Sequence, residues 1–280
     1  MTETTKDLLN MQKSPYDNRD FLYDQVCASY PPLPEKFSLK DKMFPVRNQG
    51  PQGSCVAQTL AAIQEHNNQQ DILLKGYLSP QFIYDCRPKD KRGMNCRNAM
   101  KFLHKHGVCL ESSHPYRDNS EDIKPKGLKS FSVSAKNEAY VHRISNYASV
   151  STVYDLKNAI YSDGPCLISV PVYGKFTSSY GKKPHYRIDT DMWQKKNGYV
   201  KIGGHAMTVV GWDLDGFIIR NSWGDKWGHR GHCNFPFGAW GRHYEAWAAV
   251  DHVNSKFKTP AKKDSLFSKV KRCMDSKRWG

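Results

Sequence analysis

The sequence predicts an α+β fold of two lobes, with helices gathered in the first and strands in the second. Three observations carry that expectation. Residues 55–106 hold helix-forming runs with caps, and residues beyond 160 hold short β-rich runs bounded by glycines. The two kinds follow one another rather than alternate, which excludes a parallel sheet built from repeated strand–helix–strand units.

The elements follow in order. Residues 1–37 are polar and end in Tyr30-Pro31-Pro32-Leu33-Pro34, so they read as an arm or linker. Cys55 to Gln70 contains no Gly or Pro, and its apolar positions Val56, Leu60 and Ile63 fall at helical spacing. The Gly/Pro-punctuated loop Gln49–Ser54 precedes it, and Ser54 is placed to cap it. Ser79 to Cys86 reads as a second helix, with Ser79 as cap and Pro80 in its first turn. Asn98 to His106 reads as a third, stopped by Gly107. Cys166–Val172, His205–Gly211 and Gly216–Asn221 are the strands, and Tyr154–Tyr161 is a helix before them. The expected organisation is an arm, 1–37, a two-lobed body, 38–252, and a basic tail, 253–280. The helical lobe lies mainly in 38–140 and the β lobe mainly in 141–252.

Composition bounds the function classes. The chain has 280 residues, 39% hydrophobic and 12% aromatic, enough for a core and against wholesale disorder. No run approaches the ~18 apolar residues of a membrane span, and the first residues lack the apolar region of a secretory signal. The expected location is therefore intracellular and cytoplasmic, or a virion if the source is viral. Eight cysteines without a CxxC pair are too sparse for a disulfide scaffold and give no zinc spacing, so neither a metal nor a cofactor is expected. His229, His232 and Cys233 sit among glycines in what reads as a hairpin. The formal charge is +15, and residues 253–280 alone carry nine basic and two acidic groups. Asp264 can start a tail helix with Leu266, Phe267, Val270, Cys273 and Met274 on one face and lysines on the other. That pattern suits an anionic partner, nucleic acid or an acidic surface, or docking on the protein's own body.

Four residue types point to nucleophilic chemistry. Cys55 begins a helix, where unpaired N–H groups and the helix dipole favour a thiolate. His205 begins a strand after a double glycine and can exchange a proton with that sulfur. Asn221 ends the next strand and can accept the second imidazole N–H, fixing the ring. Gln49 lies six residues before Cys55, where its side-chain amide and the Cys55 N–H can hold an oxyanion.

Each feature alone is commonplace. In the fixed order Gln49-Gly-(x)2-Gly53-Ser54-Cys55, Gly204-His205-Ala206, Asn221-Ser222-Trp223-Gly224, Trp227-Gly228 and Gly231, they resemble the papain-like (cathepsin-type) cysteine peptidases. Leu78-Ser79-Pro80-Gln81-Phe82 to Asp85-Cys86, Gly107-Val108 to His114-Pro115-Tyr116, and Gly164-Pro165 are similar to further stretches of that family. The resemblance implies a cleft between a helical lobe carrying Cys55 and a β-barrel-like lobe carrying His205 and Asn221, with Trp223 shielding the His205–Asn221 hydrogen bond. It implies hydrolysis of peptide bonds through a Cys55 acyl-enzyme, with Gln49 in the oxyanion hole and Gly53 and Ser54 as support. The alternatives are a basic binding or structural protein on the same scaffold and a deubiquitinase-like isopeptidase.

Departures from the pattern carry expectations too. Gln52 stands where the family has a disulfide cysteine, and Cys96 looks like the partner left without its bridge. Val56 replaces the bulky aromatic after the nucleophile. Met94-Asn95-Cys96-Arg97 stands near the family's Gly-Gly, which would alter backbone pairing with substrate. Gly204 precedes His205 where the family often has Asp or Asn, leaving Asp191 or Asp213 to lie nearby. Met43–Gly50, Gln52–Ala57 and the late run Phe235–Trp247 resemble bacterial and large-DNA-virus members. Only 54 residues precede Cys55, which leaves no room for the family's helical prodomain. Residues 1–30, with Tyr16, Phe21 and Tyr23, are expected to pack on the surface or in the cleft.

Overall fold

The computed structural model describes residues 9–27, 30–71, 74, 76–89, 91–117, 124–173 and 201–250. The proposed tail helix and Asp191 lie outside them. In chain order the helices are α1 (Tyr23–Val26), α2 (Cys55–Asp71), α3 (Pro80–Tyr84), α4 (Cys96–His106), α5 (Val133–Val141) and α6 (Val153–Ser162). The strands are β1 (Phe37–Ser38), β2 (Asn146–Ser149), β3 (Cys166–Tyr173), β4 (Lys201–Trp212), β5 (Gly216–Arg220), β6 (His232–Pro236) and β7 (Glu245–Val250).

The long helix α2 organises the first lobe. Every residue from Cys55 to Asn68 is buried, polar ones included. A helix buried all round must satisfy its polar side chains internally. Glu65 accepts from Arg47 and from the Leu78 backbone N–H, and Asn68 bonds His142 at 2.9 Å. Around α2 pack α3, whose start is capped as its sequence predicts, and α4. Ser79 Oγ accepts from the Phe82 N–H at 3.0 Å. Asn95 Oδ1 accepts from the Asn98 N–H at 3.0 Å, so α4 starts two residues earlier than the sequence suggests.

The second lobe is an antiparallel sheet ordered β2-β7-β3-β4-β5-β6. β1 pairs with Gly211 and Trp212 of β4, beyond the point where β3 leaves it at Val209. β3 is buried on both faces, as its continuous apolar run requires. One core gathers Ile168, Val170, Trp212, Phe217 and Phe235 with Leu156 and Ile160 of α6. A second joins α2 and α4 to Leu167, Ala206 and Trp247 of the sheet, and so forms the seam between the lobes.

Residues 9–27 are more than a polar linker. Tyr23 and Val26 of α1 are 1% exposed and belong to the core of the β lobe. The Tyr23 hydroxyl donates to Asp163 at 2.6 Å, and the Tyr30 hydroxyl to Asp155 at 2.8 Å. The aromatic residues noted in the sequence divide: Tyr23 is core, whereas Tyr16 is exposed.

Gly107 ends α4 at φ +74°, and a Cβ there would lie 1.8 Å from the Ala139 carbonyl oxygen of α5. Gly127 has φ +75° with nothing within 4 Å. Gly127→Ala therefore bears only backbone strain, about 1–3 kcal/mol. Gly107→Ala adds a clash of about 1–3 kcal/mol to the same strain. Urea unfolding of the two variants is expected to rank Gly107→Ala clearly below Gly127→Ala, and equal losses would contradict the packing of α4 on α5.

Candidate active site

The segment between β1 and α2 is clamped before it reaches Cys55. Arg220 of β5 donates to the Phe44 and Pro45 carbonyls at 2.7 and 2.8 Å. Arg47 bonds Glu65 and the Leu78 carbonyl. The Gln49 N–H donates to the Ser222 carbonyl, and the Gly224 N–H to the Arg47 carbonyl. These contacts join the loop before α2 to the turn after β5, so Gln49 and Asn221 are positioned by one framework.

Gln49 is fully buried. Its Nε2 donates to the Gln52 carbonyl at 2.8 Å, which identifies the amide nitrogen, and its Oε1 accepts from the Ser222 hydroxyl at 2.6 Å. An amide nitrogen carries two N–H groups, and the bond to Gln52 uses one. The Tyr116 hydroxyl donates to the Gln49 carbonyl at 2.7 Å, so the 2.5 Å contact between Ser54 and Tyr116 is donated by Ser54. Gly53 is buried in the same turn.

Cys55 opens α2, and the backbone N–H of Ala206, next after His205 on β4, reaches its sulfur. His205 is also fully buried, and its Nε2 lies 2.7 Å from Asn221 Oδ1. The Ser222 backbone N–H donates to that same Oδ1 at 2.8 Å. A backbone N–H can only donate, so this Asn221 atom is the oxygen, and His205 Nε2 must be the protonated nitrogen. Nδ1 is then the basic nitrogen of the ring. The Trp223 ring lies over His205, centroids 4.6 Å apart and planes at 33°, with Trp227 edge-on behind it.

Burial decides the charge state of this arrangement. It pushes the Cys55 thiol up to about 11, against the smaller effect of N–H groups from Ala206, Val56 and Cys55 itself. It pushes His205 down to about 4, against its bond to Asn221. Both shifts favour the thiol and the neutral imidazole, whereas a helix N-terminus alone favours a thiolate. The physical reason is that both groups are shut away from water.

A stretch of the chain's own backbone passes between the walls of this site. The Gly204 N–H donates to the Leu9 carbonyl at 2.9 Å, and the Met11 N–H to the Gly204 carbonyl at 3.3 Å. The Gln12 N–H donates to the Met94 carbonyl at 3.0 Å on the opposite wall. Ser14 N–H donates to Glu245 and its hydroxyl to Asn95, each at 3.0 Å. Met11 is buried in the same apolar cluster as Cys55 and Ala206. Backbone pairing thus does occur at Met94, and Gly93 beside it is needed, since a Cβ there would sit 1.6 Å from the Asn10 carbonyl oxygen.

Other expectations resolve individually. Asp213 is not near His205: it sits at the far end of β4 and accepts from the Gly216 N–H and Asn234. Cys96 is the first residue of α4, fully buried, and no disulfide joins cysteines among the described residues. Val56 is fully buried in the seam. Ser222 and Tyr116, which fix Asn221 and Gln49, stood inside quoted motifs, yet their types alone gave no sign of these roles.

With this geometry in hand, comparison with known proteins is informative. The family described as "Papain family cysteine protease" matches residues 33–241. An uncharacterized peptidase C1-like protein of Acanthamoeba polyphaga mimivirus is 29% identical over 210 residues, 68% of this chain and 63% of that protein. A cathepsin L-like proteinase of Phaedon cochleariae is 30% identical over 71% of this chain and 59% of its own. The chain therefore spans about six-tenths of these curated relatives. Among solved structures, Xylellain, a cysteine protease from Xylella fastidiosa, superimposes with TM-score 0.74 at 27% identity, covering 88% of this chain and 97% of that one. Procathepsin L2 from Tenebrio molitor shares the fold at 20% identity and TM-score 0.63. Among the described residues no helix is long and apolar enough to cross a membrane.

Buried neutral histidines set a pH dependence of stability. His205 and His232 are each pushed by burial from 6.5 to about 4, so from pH 6.5 downward the unfolded chain takes up protons that the folded chain refuses. Glu65, raised by burial to about 7, acts oppositely between 4.5 and 7. With His243, likewise lowered by burial to about 4, three histidines against one carboxyl leave a net loss of about 2.7 kcal/mol per pH unit as pH falls through this window, and the lowered His66, His106 and His142 act in the same direction. Urea midpoints of Cys55→Ala protein should fall between pH 6.5 and 5, and constant midpoints would contradict neutral burial of these rings.

Proposed function

The chain belongs to the papain family of cysteine proteases, and on that premise we propose that it hydrolyses peptide bonds of proteins through a Cys55 acyl-enzyme. The observation that carries the reading is the His205 Nε2–Asn221 Oδ1 bond beside a helix-starting cysteine. It leaves Nδ1 as the ring's base.

In an open cleft the steps are these. Cys55 Sγ gives its proton to His205 Nδ1 and attacks the carbonyl carbon. The resulting oxyanion takes hydrogen bonds from the Cys55 N–H and the second N–H of Gln49 Nε2. The C–N bond breaks as the imidazolium protonates the leaving amine. Water then loses a proton to His205, attacks the thioester and releases the acid, and the proton returns to sulfur. Asn221 holds the ring through the change of charge, and Trp223 keeps water from that hydrogen bond.

An endopeptidase is favoured over an exopeptidase. Residues 9–14 run along both walls of the cleft, and the chain continues beyond them in both directions. A groove that admits a chain without a free end at either side suits internal cleavage. A peptide blocked at both ends should therefore be cut to internal fragments, which mass spectrometry would reveal. Release of only terminal residues from unblocked peptides would refute that part.

Cys55→Ala should abolish turnover. Gln49→Ala should lower kcat by about 10²–10³. Asn221→Ala should lower kcat with KM little changed. Steady-state kinetics on a fluorogenic peptide tests all three, and full activity in Cys55→Ala would end the acyl-enzyme reading.

A further inference from the structure

We propose that Gln58 is a positioning residue for this site: through one ordered water in a small cavity, it holds the amide nitrogen of Asn221. The effect on turnover rests on the peptidase reading, whereas the water and the behaviour of the His205 ring do not.

Gln58 stands on α2 one turn beyond Cys55 and is 3% exposed. It lines a cavity of about 10 Å3 on the seam between the lobes. Arg47 joins it from the first lobe, and Thr208 of β4 and Asn221 line it from the second. A space of that size holds one water. Polar groups in its lining are short of partners. Among the described residues, Asn221 Nδ2, Arg47 Nε and Gln58 Oε1 are buried and make no hydrogen bond. Nδ2 and Nε only donate, and Oε1 only accepts. A water among them accepts from both donors and donates to Gln58, about the three bonds that a buried water typically makes.

Asn221 needs that anchor. Its Oδ1 accepts from His205 Nε2 at 2.7 Å and from the Ser222 N–H at 2.8 Å, so the oxygen end is fixed. A bare N–H at the other end would carry the full cost of leaving water and would draw the amide toward another acceptor. With both ends bonded, the oxygen stays on the ring while His205 gains and loses a proton. Gln58 reaches the other half of the site as well. Its amide lies beside the Tyr116 hydroxyl and can give it an N–H. That hydroxyl bonds the Gln49 carbonyl at 2.7 Å and Ser54 at 2.5 Å. One side chain outside the reacting groups therefore ties Gln49, proposed to hold the oxyanion, to Asn221, which holds the ring.

The test uses the full chain as wild type, as Gln58→Leu, which removes the acceptor, and as Gln58→Glu, which restores one. A crystal structure at a resolution that shows ordered water is expected to place one water about 3 Å from Asn221 Nδ2 and Gln58 Oε1. Nitrogen-15 NMR of labelled histidine reads solvent exchange of the His205 Nε2–H, with the backbone N–H groups of β4 as the measure of general loosening. Exchange at Nε2 is expected to be at least about tenfold faster in Gln58→Leu while β4 is unchanged, and to return toward wild type in Gln58→Glu. On a fluorogenic peptide, kcat should fall about tenfold in Gln58→Leu with KM unchanged, and recover in Gln58→Glu. A cavity without that water would overturn the proposal, and so would wild-type exchange or wild-type kcat in folded Gln58→Leu. Faster exchange with no hydrolysis by any form, wild type included, would uphold the positioning role and sink the peptidase reading. Should Gln58→Leu fail to fold, Gln58→Met, unbranched and without an amide, takes its place, and the wild-type crystal structure still decides the water.

Discussion

The burial of α2 along nearly its whole length is the constraint on which the rest depends. A helix buried on every side from Cys55 to Asn68 cannot be held by one lobe alone. The sheet must close its far side, and it does so with β4, through Ala206 and its neighbours. Because Cys55 is the first residue of that helix, the packing that closes the core also sets its sulfur against the Ala206 N–H, next to His205. Stability and site geometry therefore share the same contacts, and the seam residues Leu60, Leu167 and Trp247 serve both.

Polar groups trapped by this arrangement are used to fix the loops around it. Glu65 would be a costly buried carboxyl without Arg47 and the Leu78 N–H. Arg47 in turn holds the segment leading to Gln49, and Arg220 holds the same segment from β5. Ser222 completes the frame by serving Gln49 with its hydroxyl and carbonyl and Asn221 with its N–H. The side chains proposed for chemistry thus hang from a lattice of hydrogen bonds, none of which touches the sulfur.

Much of this was legible in the sequence because it is written in side chains. The helix start at Ser79, the apolar run of β3 and the order of the Cys55, His205 and Asn221 motifs all have local signatures, whereas the Asn95 cap was passed over for a start at Asn98. The likeness of Met43–Ala57 to bacterial and large-DNA-virus proteins agrees with the mimivirus relative and with Xylellain. What stayed illegible is written in backbone. Residues 1–30 were expected on the surface or in the cleft, but the docking of Leu9–Gln12 could not be assigned, because it uses main-chain N–H and carbonyl groups, which every residue has. α5 was missed because its buried residues, Ala135 and Ala139, are small and leave no apolar stripe. The burial that raises the Cys55 thiol was hidden for a related reason: a helix N-terminus is visible in sequence, but exclusion of water is a property of the assembled fold.

That exclusion bears on the durability of the molecule. Peroxide and other oxidants attack thiolates that solvent can reach, and each step past sulfenic acid is hard to reverse. Cys55 in this structure is completely buried, and burial pushes its thiol up to about 11. Cys55 thus shares with Cys96, Cys166 and Cys233 a burial that keeps oxidants from its sulfur.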